Sequence, residues 1–311
     1  MEPWLIIVYF FIVALMRVAQ KVCSKQVSKQ VAGKTFIHYC GYYNLISCIF
    51  AFFAFAIGGF QGIDLPTVLC AFITGLCLAI ELFANLEALK GTSLIVAQMF
   101  SVAGLVIPCL VGDLFFNEKM GVWQWLGLLL FAVAMYFMVS TSKAKEGKKS
   151  QKLSLKTIVM LVILLLAGGG TMVAQKVFAK VVVDGNVATY SFLMFAINAL
   201  IFYTYHLCIA IKERWKVGVS SVESDCAKVN SLSKTLLIFG AILAFAVFVI
   251  NMLVTELGKH VDSAILFSVS YAISIIMTIL VGAIYYKEKL TWKRYLGIAL
   301  CVAALAIINF L

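Results

Sequence analysis

Long apolar runs separated by short polar connections make up most of the chain. Each run has about 18–25 residues, the length that a helix needs to cross the hydrocarbon core of a bilayer. The pattern predicts ten membrane-spanning helices, at 3–22, 36–57, 66–88, 93–114, 122–141, 155–177, 187–211, 235–256, 263–286 and 291–310. We therefore expect an all-α polytopic membrane protein, with five spans on each side of a basic cytoplasmic linker at 142–154.

Composition supports lipid as the main solvent of the chain. Of the 311 residues, 63% are hydrophobic and 13% are charged, whereas a soluble domain has about 45–50% apolar and about 25% charged residues. A net charge of +11 would suit nucleic acid, but the basic residues lie between apolar runs and form no stripe or tail. We expect no nucleic-acid partner. The nine cysteines show no metal-ligand spacing, so we expect no metal site.

Two segments of the sequence occur twice. A Glu-Lys pair followed by an aromatic-rich segment and Leu-Gly occupies 118–127 and again 288–297, a step of 170 residues. The pentapeptide Val-Ala-Gln-Lys-Val occupies 18–22 and again 173–177, a step of 155. This duplication predicts that the chain consists of two related halves.

The halves correspond to 1–141 and 155–311. Because five spans is an odd number, the second half enters the membrane from the opposite side, which predicts two inverted five-helix repeats around a central cavity. Inverted repeats are common in secondary transporters, where a site between two similar halves becomes accessible from each side of the membrane in turn.

The basic residues predict the orientation of the chain. Of the 25 Lys and Arg residues, 21 lie in or beside connections that follow odd-numbered spans. Cytoplasmic loops carry the excess of Lys and Arg, so these connections should face the cytoplasm and both termini should lie outside. We expect a multi-pass integral protein of the cell (plasma or inner) membrane.

A set of short phrases also occurs in a fixed order in both halves. In the first half they are Ala88-Leu89-Lys90-Gly91-Thr92-Ser93, Pro108, Asn117-Glu118-Lys119 and Trp125-Leu126-Gly127. In the second half they are Leu257-Gly258-Lys259-His260-Val261-Asp262-Ser263-Ala264, Lys287-Glu288-Lys289 and Tyr295-Leu296-Gly297, with Thr278 in place of Pro108. Through these phrases the chain resembles the drug/metabolite transporter superfamily and, within it, the ten-span EamA-type family.

The resemblance covers nearly the whole chain. It implies transport of small metabolites through a central cavity, with the fifth and tenth helices peripheral. Members of that family have both termini in the cytoplasm, whereas the charge bias of this chain predicts the opposite. We follow the charges, because Lys and Arg placement sets orientation.

Ionisable residues inside spans are functional candidates, because burying a charge in the membrane is costly. Glu81 in the third span and Arg17 in the first span lie at similar depth, and Asn85 shares a helix face with Glu81. These three residues form a candidate substrate or proton site. A structural ion pair between Glu81 and Arg17 is an equal alternative. For Arg17, extension to the membrane surface, continued by Lys21, is the favoured interpretation.

Further polar residues within the spans are candidates for lining the cavity: Gln98, Ser101, Gln175, Asn198, Asn251, Thr255, Ser270, Tyr271 and Tyr42. Interhelical hydrogen bonds are the alternative, and the more common one in helix bundles. Tyr42 belongs to a group with Tyr39 and Tyr43 that fits an aromatic cage for a cation, although an interfacial aromatic belt is favoured.

No catalytic motif and no nucleotide-binding loop occurs in the sequence, so we expect no enzyme, no cofactor and no direct use of ATP. The predicted function is gradient-driven or facilitative transport of a small organic solute, with a coupling ion (H⁺ or Na⁺) and a homodimer as further candidate partners. An amino acid or related zwitterion is favoured, since Glu81 and Arg17 suit its two charges. A choline-like organic cation, or a non-transporting receptor or assembly subunit, remains an alternative.

Overall fold

The computed structural model describes residues 2–30, 34–58, 60, 63–140, 154–182, 185–216, 234–285 and 292–310. All regular secondary structure in these residues is α-helical. The helices are α1 (Pro3–Gln30), α2 (Lys34–Ile57), α3 (Leu65–Gly91), α4 (Leu94–Ala103), α5 (Val106–Phe115), α6 (Val122–Ser140), α7 (Leu155–Val181), α8 (Val187–Lys216), α9 (Lys234–Gly258), α10 (Ser263–Ile284) and α11 (Trp292–Phe310). The predicted linker at 142–154 lies almost entirely outside the described residues.

Eight segments of the described chain are long and apolar enough to cross a membrane. They are α1, α2, α3, the α4–α5 pair, α7, α8, α9 and α10. The apolar stretches of α6 and α11, at Val122–Ala134 and Tyr295–Ile307, are shorter. The prediction of an all-α polytopic membrane protein is confirmed, and eight of the ten predicted spans meet the length and composition of a membrane span within the described residues.

Polar and apolar side chains are distributed in the reverse of the soluble pattern. Large apolar side chains such as Ile7, Phe11 and Phe53 are exposed, whereas Asn44 and Asn198 are completely buried. In water this arrangement would be unfavourable. It is expected for a bundle whose surroundings are lipid, because polar groups then gain by facing one another in the interior.

The fourth predicted span is broken in its middle. The chain between α4 and α5 turns at Gly104 and Leu105, and Pro108 follows in the first turn of α5. Proline has no N–H for the carbonyl four residues earlier, and its ring crowds that carbonyl, which here is that of Gly104. The site of the break therefore has a direct cause in the sequence.

The backbone of α7 approaches this break closely. A Cβ atom added to Gly104 would lie 2.8 Å from the Leu165 carbonyl oxygen and 2.9 Å from the Gly169 nitrogen. Helix α7 itself runs without interruption from Leu155 to Val181. Its three consecutive glycines, Gly168 to Gly170, thus serve close packing and do not unwind the helix.

Most of the helix contacts are kept when each helix of one half is exchanged for its counterpart in the other. Helix α1 packs against α9 and α10, and α7 packs against α3 and the α4–α5 pair. Likewise α2 packs against α9, and α8 packs against α3. The pairs α2 with α8 and α6 with α11 map onto themselves, as does the contact of the α4–α5 pair with α10.

Candidate functional site

Arg17 points into the bundle. Its side chain is 8% exposed, and its guanidinium carbon lies 3.9 Å from the centroid of the Tyr271 ring, which belongs to α10. A guanidinium over an aromatic face gains a cation–π attraction. The Nε atom of Arg17 is buried without a hydrogen-bond partner. The favoured interpretation that Arg17 extends to the membrane surface is therefore wrong, because the packing of α1 on α10 turns it inward.

Lys21, one helical turn after Arg17, is also buried. Its side chain is 4% exposed, and its amine interacts electrostatically with Glu81 but makes no hydrogen bond or salt bridge within the described chain. From the sequence, Lys21 is expected in a basic strip that reaches the headgroups and not in the candidate site, so its burial is a difference from the prediction. The repeat offered a signal, since Lys21 corresponds to Lys176 in the duplicated pentapeptide.

Glu81 on α3 lies beside α7 and is only partly buried. The Thr171 hydroxyl donates a long hydrogen bond of 3.4 Å to the Glu81 Oε2 atom. Gly168 makes room for the carboxylate, because a Cβ there would lie 3.6 Å from the Glu81 carboxyl carbon. One turn further along α3, Asn85 is buried with its Oδ1 atom unpartnered.

Arg17, Lys21 and Glu81 form what we call the charged cluster. Glu81 interacts electrostatically with both Lys21 and Arg17, yet no salt bridge joins these three described side chains. The alternative of a structural ion pair between Glu81 and Arg17 is thus not what the structure contains. Two cations on α1 and one carboxylate on α3 thus interact across the contact between these helices without a direct salt bridge.

Two further predicted candidates join α7 to α9. The Gln175 amide donates to the Asn251 Oδ1 atom at 2.6 Å, and the Asn251 amide donates to the Val247 carbonyl at 2.8 Å. Thr255 donates to the carbonyl of Asn251 at 2.7 Å. These contacts match the interhelical hydrogen bonds that the sequence analysis gave as the alternative to cavity lining.

A second polar contact joins α4 to α10. The Gln98 amide donates to the Ser274 hydroxyl at 3.3 Å, while the Gln98 carbonyl oxygen is buried without a partner. Ser101, on the same helix, is buried as well. Ser274 and Tyr271 both belong to α10, the helix that Arg17 contacts. Gln98 and Ser101 therefore remain candidates for the cavity wall near Arg17.

Three predicted candidates have other surroundings. Tyr42 donates to the Leu237 carbonyl at 3.2 Å, and Ser270 donates to the Leu266 carbonyl of its own helix at 2.7 Å. Asn198 is fully buried with both amide atoms unpartnered. Among the described residues, no hydrogen bond connects any of the three to the charged cluster.

The tyrosines near the start of α2 form neither a belt nor an open cage. Tyr39 and Tyr43 are buried. A Cβ on Gly240 of α9 would lie 3.0 Å from the Tyr42 ring and 3.2 Å from the Tyr39 ring. The rings therefore pack against the bare backbone of α9, which is a structural role.

A second charged group, the Glu118 cluster, comprises Glu118, Lys176, Lys180 and Ser263. The Lys176 amine lies 2.8 Å from the Glu118 Oε1 atom, and Lys180 lies 3.6 Å from the same atom. The Glu118 Oε2 atom accepts the backbone N–H of Ser263 at 2.9 Å. Glu118 and Lys176 both belong to repeated phrases of the sequence, but the sequence alone does not indicate that the two phrases meet.

Lys176 also forms hydrogen bonds with the backbone at and just beyond the C-terminal end of α9. Its amine donates to the carbonyls of Val261 at 2.7 Å and Gly258 at 3.4 Å. Gly112 allows Glu118 to fold back, since a Cβ there would lie 2.7 Å from the Glu118 carboxylate. A polar cavity of about 260 Å³ opens beside this cluster and is lined in part by Cys109 and Asp262.

The pKa of Glu118 reflects these contacts. Burial raises the pKa of this carboxyl, but the ion pair with Lys176 and the Ser263 N–H lower it further, so the net pKa lies below the ordinary 4.5. Glu118 is therefore ionised near neutral pH. Thr92 precedes the α4–α5 pair and Glu118 follows it. Because this pair runs from one end of the bundle to the other, the Glu118 cluster lies at the end opposite to the α3–α4 connection.

No group of three or more His, Cys, Asp or Glu side chains among the described residues is arranged to hold a metal ion. No protein-family model matches the chain, and no curated protein matches it. A solved structure described as "Crystal structure of protein" is similar, with a TM-score of 0.63 and 14% sequence identity, covering 98% of this chain and 96% of that chain. At that identity the similarity concerns the fold alone.

Proposed function

We propose that the protein is a secondary transporter that moves a small organic solute by alternating access. The observation that carries the proposal is the charged cluster: Arg17 and Lys21 are buried and Glu81 is partly buried inside a helical membrane protein, and no salt bridge joins the three described side chains. Unpaired buried charges are unfavourable for stability alone. In a membrane protein they are typical of a pathway for a polar solute or an ion.

The exchange symmetry of the helix packing supports two inverted five-helix repeats, with α6 and α11 as the fifth and tenth spans. It also supports the drug/metabolite transporter superfamily and the EamA-type family as the group to which the chain belongs. The broken α4–α5 pair is a further supporting feature, because discontinuous helices with exposed backbone groups often flank transporter binding sites.

An amino acid or a related zwitterion is the substrate class that this site favours. The Arg17 guanidinium suits a carboxylate, since it presents donors in a fixed fork, and Glu81 suits an ammonium group. The choline-like alternative is weaker, because Tyr42 already bonds a backbone carbonyl and Tyr39 and Tyr43 are enclosed by the bundle. Glu81 is also the group through which H⁺ coupling would act.

The orientation and cellular membrane remain part of the proposal. The excess of Lys and Arg near connections after odd-numbered spans supports a plasma-membrane protein with both termini outside. Reporter fusions to each terminus, one active only in the cytoplasm and one only outside, would test this orientation. Activity of the cytoplasmic reporter at both ends would contradict it.

The test of transport uses purified protein in proteoliposomes. A thermal-shift screen of metabolites identifies solutes that stabilise the folded state, and uptake of those labelled solutes down a gradient is then measured. We expect amino acid uptake that is lost in Arg17→Gln. Lys156→Gln, a change at a 67% exposed surface lysine, should leave uptake unchanged. Absence of transport for every stabilising solute would instead support a receptor or assembly subunit.

A further inference from the structure

The charged cluster contains one more positive charge than a neutral zwitterion requires. Arg17 and Lys21 are cationic, whereas Glu81 is its one carboxylate. A zwitterion uses one cation for its carboxylate and Glu81 for its ammonium group. It therefore leaves the second buried cation without a counter-charge, which low-dielectric surroundings make costly.

Four other acidic side chains of the described helical bundle do not supply the missing charge, because each has a partner elsewhere. Glu87 pairs with Lys90 and Lys156, and Glu256 pairs with Lys259. Asp113 accepts the backbone N–H of Met120. Glu118 pairs with Lys176 at the far end of the α4–α5 crossing.

The two cations are placed so that one ligand can reach both. They are four residues apart on α1, hence on one face of the helix. Arg17 is fixed in position by the Tyr271 ring and has an unpartnered, buried Nε atom. Lys25, one turn beyond Lys21, donates to the carbonyls of Leu89 and Thr92. Lys25 therefore has hydrogen-bond partners, whereas the Lys21 amine has none in the described chain.

We infer that the substrate is an acidic amino acid or a closely similar solute with two carboxylates and one ammonium group. Arg17 binds one carboxylate, Lys21 binds the other, and Glu81 binds the ammonium group. The net charge of the occupied site is then zero. This inference rests on the proposed transport function and specifies the substrate class of the same site.

The first test compares three ligands of similar length with the wild-type protein. Dissociation constants are measured for L-glutamate, L-glutamine, which lacks the second carboxylate, and glutarate, which lacks the ammonium group. We expect L-glutamate to bind at least about tenfold more tightly than either, because each analogue leaves one buried charge of the site unpaired. Equal binding of L-glutamate and L-glutamine would overturn the inference, and equal binding of L-glutamate and glutarate would remove the role of Glu81.

The second test assigns the preference to Lys21. In Lys21→Gln, the preference for L-glutamate over L-glutamine should disappear while L-glutamine binding persists. Lys21→Arg, which keeps the charge, should retain the preference, as should Lys156→Gln at the surface. Persistence of the preference in Lys21→Gln would contradict the assignment. The wild-type comparison needs no variant, so it decides the substrate class even where Lys21→Gln does not fold.

Failure of the inference and failure of the proposed function give different results. Proteoliposomes that carry neutral amino acids but neither bind nor carry L-glutamate would overturn the inference and leave transport intact. Proteoliposomes that carry no stabilising solute would overturn the transport function itself.

Discussion

The Lys176 amine and the Glu118 carboxylate lie 2.8 Å apart, and the Lys176 side chain is only 1% exposed. Glu118 follows α5, Lys176 belongs to α7, and the other oxygen of Glu118 holds the first residue of α10, Ser263. One ion pair thus joins three segments at one end of the bundle. Separation of those segments at that end requires the pair to break.

Removing either partner of this pair should destabilise the protein strongly. Glu118→Gln or Lys176→Met leaves the other charge buried, and such changes cost about 3–5 kcal/mol. Thermal unfolding in detergent would measure the loss. The double variant should lose less than the sum of the single losses, since the two side chains interact directly.

Lys180→Met provides the matched control for that experiment. Lys180 approaches the same carboxylate oxygen at 3.6 Å but is 33% exposed, so its removal should cost at most about 1 kcal/mol. A loss for Lys180→Met as large as that for Lys176→Met would show that burial of the pair is not the cause.

The same ion pair should control access to Cys109. This thiol is 2% exposed and lines the cavity beside Glu118. If the segments separate during transport, Glu118→Gln should raise the rate at which a membrane-impermeant maleimide labels Cys109 several-fold, as read by mass spectrometry of the labelled peptides. Labelling of the same protein after unfolding in denaturant serves as the reference for complete access. An unchanged labelling rate of Cys109 in Glu118→Gln would contradict a gating role.

The contribution of Glu118 to stability should depend on pH in one direction. Its pKa in the folded protein lies below 4.5, so the folded state favours the ionised carboxylate. The stabilisation is then fully present above pH 4.5 and is lost as the pH falls through the folded-state pKa. We expect the difference in melting temperature between wild type and Glu118→Gln to be constant from about pH 5 to about pH 7 and to shrink in more acidic buffer. A difference that grows in acid would reverse the assigned sign.

A variant that removes the hydrogen bond between Gln175 and Asn251 can distinguish a structural from a functional role of Gln175. Hydrogen bonds between membrane helices contribute on average about 0.6 kcal/mol and at most about 1.7 kcal/mol. Gln175→Leu should therefore lower the stability modestly and reduce transport only in proportion to the folded fraction. Loss of transport at unchanged melting temperature would place Gln175 in the substrate pathway.

The close approach of α7 to the α4–α5 break should make Gly104 intolerant of substitution. Gly104→Ala places a methyl group against the backbone of Leu165 and Gly169, and overpacking of this kind costs about 1–3 kcal/mol. Gly121→Ala is the control, because nothing lies within 4 Å of the added atom. Equal melting temperatures for the two variants would contradict the packing argument.

The pattern of apolar runs was sufficient to predict the helical character and the approximate position of each span, because lipid requires helices of a set length. Helix ends were less accurate. The first span was predicted to end at 22, whereas α1 continues to Gln30, since its last turns are buried by neighbouring helices and do not need apolar residues. Pro108 accounts for the break of the fourth span at Gly104, four residues earlier, whereas the close approach of α7 to Gly104 appears only in the tertiary structure.

By itself the sequence indicated that Arg17 and Glu81 lie at similar depth, because each could be placed along its helix from the rise per residue. Only the tertiary structure decided where these side chains point. Depth follows from position in the sequence, but rotation about the helix axis and the choice of neighbour follow from packing. For that reason Arg17 meets Tyr271 and not Glu81, Lys21 is enclosed, and Glu118 pairs with Lys176 across 58 residues of sequence.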